Sequence, residues 1–293
     1  MSSNFTIIGG SASTDLAKKI ARNLKGRYVK PSLKTFPDGE KKITIDESLK
    51  GKIVIVQSTY PPVDSNLMEA LFLISHARKY STTQVYVVIP YLGYARQDKE
   101  FLPGEIVSMS VIAKMIKAVG TTKVFVVDIH SKMALNHFKI PAQNVNAIPE
   151  LVKYFKRLHL KDPLVVCPDL AGVFRAKNFS KLFGTDFIGL RKYRNRYTGS
   201  IEIRSAEQKH VRGRDIILVD DMISTGGSMV EAAKFLKKQG CDDIYAACTH
   251  ALLIQDAEIN LQKAGILKIV STNTIPRKTS IVDVSKIIAK EIV

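Results

Sequence analysis

Asp220-Asp221 and Ser224-Thr225-Gly226-Gly227-Ser228 are the residues of this chain best spaced to do chemistry together. The loop joins hydroxyl donors to two glycines, and a helical pattern follows from Met229 to Lys238. Backbone N–H groups at a helix N-terminus point at an anion, and glycine lets the backbone approach it closely. The loop therefore suits a phosphate. The two acids repel phosphate but accept from sugar hydroxyls. A phosphate site beside a diol site describes a ribose phosphate. No lysine follows the glycines, so the Walker pattern does not apply. Each piece alone is also what an ordinary strand-to-helix turn with an acidic edge would contain; the combination points to a ligand.

Other stretches carry reactive side chains. In Pro90-Tyr91-Leu92-Gly93-Tyr94-Ala95-Arg96-Gln97-Asp98-Lys99, Arg96 offers a fork to phosphate and Gln97 both a donor and an acceptor. His130 follows Asp128-Ile129, and Asp169 follows Pro168. Asp169 is a candidate metal or hydroxyl ligand. An oxygen-rich site with phosphates suggests Mg²⁺, which keeps several waters and takes few protein ligands. Zinc is excluded by the lack of a His or Cys cluster. Arg191-Lys192-Tyr193-Arg194-Asn195-Arg196 reads either as a solvated charged hairpin or as a cationic arm that closes on a polyphosphate. Phe36-Pro37-Asp38-Gly39-Glu40 offers an aromatic face and two carboxylates in a tight turn, able to stack on a base and accept from its amine.

These residues need strands to hold them. Short apolar runs at 5–8, 53–57, 85–89, 124–127, 164–166, 187–190, 216–219, 244–248 and 268–271 read as buried parallel strands. Short strands are also expected near Tyr28, over Lys42–Ile45 and over Ile201–Ile203. Helical patterns lie between them, at 13–24, 67–79, 106–119, 149–158 and 284–292 among others. The alternation predicts an α/β fold with parallel sheets, in which ligands bind beyond the carboxyl ends of strands. The two halves resemble each other: 53–56 and 216–219 are each followed by a polar loop, a helix and another strand. Gly9-Gly10-Ser11 takes the place that Pro168-Asp169-Leu170-Ala171-Gly172 has in the second half. Thr59-Tyr60-Pro61-Pro62 replaces the phosphate loop in the first half; its prolines remove two donors, so no phosphate is expected there.

The chain is 293 residues long, 45% hydrophobic and 24% charged, which suits two soluble domains. Its three cysteines show no metal spacing and read as reduced thiols of a cytoplasmic protein. Met1-Ser2-Ser3-Asn4 does not read as a signal peptide, and no apolar run is long enough to span a bilayer. The net charge of +17 is spread along the chain and forms no nucleic-acid recognition motif.

Tyr94-Ala95-Arg96-Gln97-Asp98, the Phe36–Glu40 turn, Asp128-Ile129-His130, Val219-Asp220-Asp221-Met222 and Thr272-Asn273-Thr274-Ile275-Pro276 together resemble the ribose-phosphate pyrophosphokinases. The resemblance runs over essentially the whole chain. It implies two similar doubly wound parallel-sheet domains of phosphoribosyltransferase type. Residues 1–143, joined by the C-terminal helix at 281–293, would carry the ATP motifs, and 144–280 the ribose 5-phosphate loop. The implied reaction transfers the diphosphate of ATP to O1 of ribose 5-phosphate, with Mg²⁺. ATP would be held by Phe36, Asp38, Gly39, Glu40, Arg96, Gln97, Asp98 and His130. Ribose 5-phosphate would meet Asp169, Arg194, Asp220, Asp221, Ser224, Thr225, Gly226, Gly227 and Ser228. His130 and Asp169 would flank the metal, and Lys192 and Arg194 match the family's catalytic loop. A homo-oligomer is implied, at least a dimer sharing the ATP site, with neither nucleic acid nor membrane as a partner. Two departures stand out. Leu170-Ala171 replaces the family's Ala-Gly after Asp169, and Tyr193 sits between the two cations. A plain phosphoribosyltransferase shares the phosphate loop but does not need the first half's nucleotide motifs. A family member that has lost catalysis would not need Lys192 and Arg194.

Overall fold

A computed structural model describes residues 4–80, 84–194, 201–205 and 210–293, without the side chains of Ala171, 192–194 and 201–205. The chain forms two compact units, 1–146 with 274–276 and 284–293, and 147–273 with 277–283.

The first unit begins with β1 (Phe5–Gly9), α1 (Thr14–Asn23) and β2 (Arg27–Val29), then β3 (Ser32–Thr35) and β4 (Lys41–Thr44). β5 (Lys52–Val56), α2 (Val63–Tyr80), β6 (Val85–Ile89), α3 (Ser108–Ala118), β7 (Lys123–Val127) and β8 (Ala142–Val145) follow. Its main sheet has the order β2-β1-β5-β6-β7-β8, and every pairing is parallel. Strands buried on both faces need continuous apolar runs, and Ile53, Val54, Ile55 and Val56 of β5 are all fully buried. Each such side chain contributes about 1.5–3 kcal/mol by leaving water. The β3–β4 hairpin forms a separate two-stranded sheet. Lys42–Ile45 is therefore half of a hairpin whose other strand, Ser32–Thr35, is too polar and exposed to announce itself.

The second unit contains α4 (Ile148–Phe155), β9 (Leu164–Cys167), α5 (Val173–Phe183), β10 (Phe187–Arg194), β11 (Ile201–Ser205) and β12 (Ile216–Ile223). α6 (Gly227–Lys238), β13 (Ile244–Ala251), α7 (Ala257–Lys263), β14 (Ile266–Thr272) and β15 (Ser280–Val282) complete it. α8 (Ser285–Ile292) belongs to the first unit, where Asn23 Nδ2 donates to Ser285 Oγ at 3.0 Å. The second sheet runs β11-β10-β9-β12-β13-β14-β15, parallel except for the β10–β11 hairpin. Its strands feed two cores by alternation: Ile216 and Leu218 of β12 pack into one, Ile217 and Val219 into the other.

Several strands are longer than the sequence predicts, and two of these extensions carry candidate site residues. β12 continues past Val219 through both acids to Ile223, because β13 runs equally far and pairs Met222 with His250 and Ile223 with Ala251. β10 continues to Arg194 by pairing with β11, so the first part of the basic run is a hairpin strand. Ile201 and Ile203, β-branched, favour that pairing.

Candidate active site

In the second unit, β12 delivers the acids and the turn after it delivers the glycine loop. Gly226 caps α6 with φ 77°, a left-handed backbone that favours glycine. A Cβ there would also stand 3.2 Å from Leu261 Cγ, whereas one at Gly227 would meet nothing within 4 Å. Thr225 and Gly227 are exposed, and Ser224 and Ser228 half-buried. The turn is braced from below, with Leu253 N donating to Ile223 O at 3.0 Å and Ile254 N to Ser224 O at 3.2 Å. The open face of the loop at a twelve-residue helix's N-terminus is fitted to an anion.

The acidic pair is held by a residue that the sequence did not flag. Arg175, in the first turn of α5, sets Nη1 3.1 Å from Asp220 Oδ1 and Nη2 3.4 Å from Asp221 Oδ2. Backbone amides add to this: Asp221 N donates to Asp220 Oδ1 at 2.8 Å and Met222 N to Asp221 Oδ1 at 2.9 Å. The Asp220 carboxyl is pushed up to about 8, by burial first and by the Asp221 charge second, with Arg175 opposing. One signal was available. A cation in a helix's first turn opposes the macrodipole unless an acid neutralises it.

Asp169 is half-buried after β9, and its Oδ1 accepts from Gly172 N at 3.2 Å. A Cβ on Gly172 would fall 2.6 Å from Cys167 Sγ, so the turn admits only glycine there. The Cys167 thiol donates to Asp169 O at 2.7 Å, and burial pushes its pKa up to about 12, so it is inert as a thiolate. The side chains of Ala171, Lys192 and Arg194 lie outside the described residues; the backbone of Lys192 and Arg194 is in β10.

In the first unit, the Phe36–Glu40 turn joins β3 to β4. Phe36 N donates to Glu40 O at 2.8 Å and Gly39 N to Phe36 O at 2.9 Å, with Gly39 at φ 93°. Asp38 Oδ1 accepts from Glu40 N at 3.0 Å. The Phe36 ring is 37% exposed, with Lys34 Nζ 5.2 Å from its centroid, so an aromatic face is on offer. Arg96 is exposed. Gln97 is tied down: its Nε2 donates to Glu105 Oε2 at 3.0 Å and to Lys99 O at 3.3 Å. Glu105, also unflagged by the sequence, takes Phe101 N and Leu102 N as well, and these donors, Gln97 first, hold its carboxyl below the usual range. Asp98 is buried, and its carbonyl lies 2.8 Å from His137 Nε2. His130 is exposed after β7. Asp128 before it has φ 38°, a costly conformation for a non-glycine residue, and Asn144 Oδ1 secures the next amide, Ile129 N, at 2.8 Å.

Among the described residues no three His, Cys, Asp or Glu side chains gather into a metal cage. Asp169, a half-buried carboxylate, is an oxygen donor of the kind a hard cation takes.

Two doubly wound parallel-sheet units, one with a glycine loop at a central strand's carboxyl end, define an α/β protein of phosphoribosyltransferase type. The model of the N-terminal domain of ribose phosphate pyrophosphokinase matches residues 5–120, and that of the phosphoribosyl synthetase-associated domain matches 208–293. A ribose-phosphate pyrophosphokinase of Sulfolobus acidocaldarius is 37% identical over 98% of this chain and 99% of its own length. One from Methanosarcina acetivorans is 39% identical over 97% and 98%. The crystal structure of phosphoribosylpyrophosphate synthetase from Mycobacterium smegmatis superposes with a TM-score of 0.88 at 28% identity, covering 99% of this chain and 97% of that one. The chain belongs to the ribose-phosphate pyrophosphokinase family.

Proposed function

We propose that the first unit takes ATP and the second takes ribose 5-phosphate in the reaction of this family. That reaction moves the diphosphate of ATP to O1 of ribose 5-phosphate and leaves AMP. The O1 oxygen attacks the β-phosphorus in line. The new O1–P bond forms as the bond from the β-phosphorus to the α,β-bridging oxygen breaks, and its electron pair leaves on AMP. The O1 proton passes to water. Positioning and electrostatics carry such a transfer. The observation that carries the assignment is the left-handed Gly226 turn opening α6 directly after Asp220 and Asp221.

Ser224, Thr225, Gly226, Gly227 and Ser228 would hold the 5-phosphate, and Asp220 and Asp221 the ribose hydroxyls. Phe36 would stack on adenine, with Asp38, Gly39 and Glu40 at its edge. Arg96 would fork onto the triphosphate. Gln97 and Asp98 would act through the loop that they hold, since Gln97's amide is engaged and Asp98 is buried. Lys192 and Arg194 would stabilise charge on the transferring and leaving phosphates. Asp169, and His130 through water, would hold Mg²⁺, which supplies neutralisation of the phosphate oxygens when bound. ³¹P NMR of the protein with ATP, Mg²⁺ and ribose 5-phosphate tests the reading. AMP with a C1-linked diphosphate is expected; phosphate monoesters alone, or no product, would reject it.

The cytoplasm is the expected compartment, supported by three free, buried cysteines. No helix of the described residues is long and apolar enough to cross a membrane.

A dimer sharing the ATP site is also part of this proposal, because an isologous pair lets one copy's Phe36–Glu40 turn serve the other's site. Mixing Asp38→Ala with Lys192→Ala subunits should then regain activity. With random exchange, about a quarter of sites carry neither defect. No gain after verified exchange would place each ATP site within a single chain.

A further inference from the structure

Glu69 lies on α2 and is not among the residues assigned above, yet its carboxylate takes three donors. Ser11 N donates to its Oε1 at 2.6 Å, and Ser11 Oγ to its Oε2 at 2.6 Å. Lys41 Nζ stands 3.1 Å from Oε2. Its neighbour Gln57 takes the next amide, Ala12 N, at 3.1 Å. Gly9-Gly10-Ser11 is the strand-to-helix turn of this unit, and its donors are the kind that would cradle an anion. Here the protein's own carboxylate and amide oxygens fill them. The ion pair is nearly dry, with side chains 3% exposed for Glu69 and 12% for Lys41.

Lys41 connects this internal anion to the nucleotide turn. It is the residue directly after Glu40, the first of β4, paired with Thr35 across the hairpin. Its ammonium also donates to Ser65 O at 3.0 Å. β3 is exposed throughout, and the hairpin joins no larger sheet among the described residues. Ile43 and Ile45 pack against the core further along, so Lys41 is the anchor nearest the turn. We propose that Glu69 is a positioning residue for ATP: seated in the first unit's anion cradle, it clamps Lys41 and so fixes the Phe36–Glu40 turn.

The inference rests on the reading of that turn as an ATP contact, and the experiment separates the two. Steady-state constants are measured for Glu69→Gln, Lys41→Met, the double variant and Asp38→Ala. Loss of a charge-assisted hydrogen bond should raise the KM for ATP roughly tenfold in Glu69→Gln and in Lys41→Met. The KM for ribose 5-phosphate and kcat should stay within about twofold, because neither side chain meets the sugar or the reacting atoms. The double variant should be no worse than either single one, since both break one link. In Glu69→Ala, added formate should lower the KM for ATP by supplying a carboxylate to the emptied cradle, and should do nothing for Lys41→Met. An unchanged KM for ATP in Glu69→Gln beside a raised one in Asp38→Ala overturns the positioning role and leaves the ATP turn standing. If neither changes, the turn is not an ATP contact and both readings fall. Additive effects, or equal loss for both substrates, would reduce Glu69 to a structural role and also overturn the proposal. Lys41→Met leaves Glu69 its Ser11 contacts and carries the test alone should Glu69→Gln fail to fold.

Discussion

Lys192→Ala is expected to lower kcat by about 10³ while the KM for ATP stays within a few-fold, on the scale of removing one preorganised donor from a transition state. The loss corresponds to about 4 kcal/mol of barrier. On the proposed reading, Mg²⁺ and the exposed Arg96 would already neutralise the triphosphate before reaction. Charge grows on the transferring phosphoryl group and on the leaving α-phosphate only as the bond breaks. A cation that meets mainly this later charge contributes to the transition state and little to the ground state. kcat and kcat/KM should therefore fall by the same factor. Arg194→Ala should behave alike, and Tyr193→Ala should not, since it removes no cation from the arm. Rapid-quench single turnovers check that the chemical step is what slows. A variant with full turnover that had lost only ATP affinity would show the arm to be a ground-state binder.

What the sequence disclosed and what it withheld follow a physical line. Doubly buried strands declare themselves because both faces must be apolar, so β5, β6, β7 and β12 were legible as runs. The glycine turn before α6 was legible because its requirements are local: a positive φ at Gly226 and small residues beside it. β3, β8 and β15 were missed. They are short and lie at sheet edges or outside the main sheets, where polar side chains are tolerated. α7 was missed too, being only seven residues long. The residues that hold the site residues were also missed, for a different reason. Arg175 meets Asp220 across 45 positions of chain, and Glu69 meets Ser11 across 58. No spacing rule reaches that far, because the fold alone brings such partners together. Glu105 was within reach of Gln97, eight positions on, but an acid in a charged loop looks like solvated surface until its donors are seen.

Arg175 gives the second large expectation. Arg175→Met should cost roughly 3 kcal/mol of folding stability, since removing one member of a buried ion cluster strands the others. Here it strands the adjacent Asp220 and Asp221, whose side chains are 18% and 5% exposed. The sign of the pH dependence follows from Asp220. Its carboxyl is raised from 3.8 to about 8 in the folded protein, so the folded state holds a proton that the unfolded chain has released. Stability from that proton is fully present below 3.8 and is lost as pH rises through about 8. Arg175 lowers this pKa, so its removal raises the pKa further and extends the loss to higher pH. The deficit of Arg175→Met against the parent should thus be larger at about pH 9 than at about pH 6 when urea unfolding is followed by circular dichroism. Adding Asp220→Asn should recover part of the deficit at the higher pH, because the amide oxygen still accepts from Asp221 N and one of the like charges is gone. The two changes must then be non-additive, as expected for side chains in direct contact. The same variant should bind ribose 5-phosphate more weakly, since the acids lose the fork that fixes their direction. Equal deficits at both pH values, or strictly additive losses in the double variant, would mean that Arg175 packs against the acids without governing their charge.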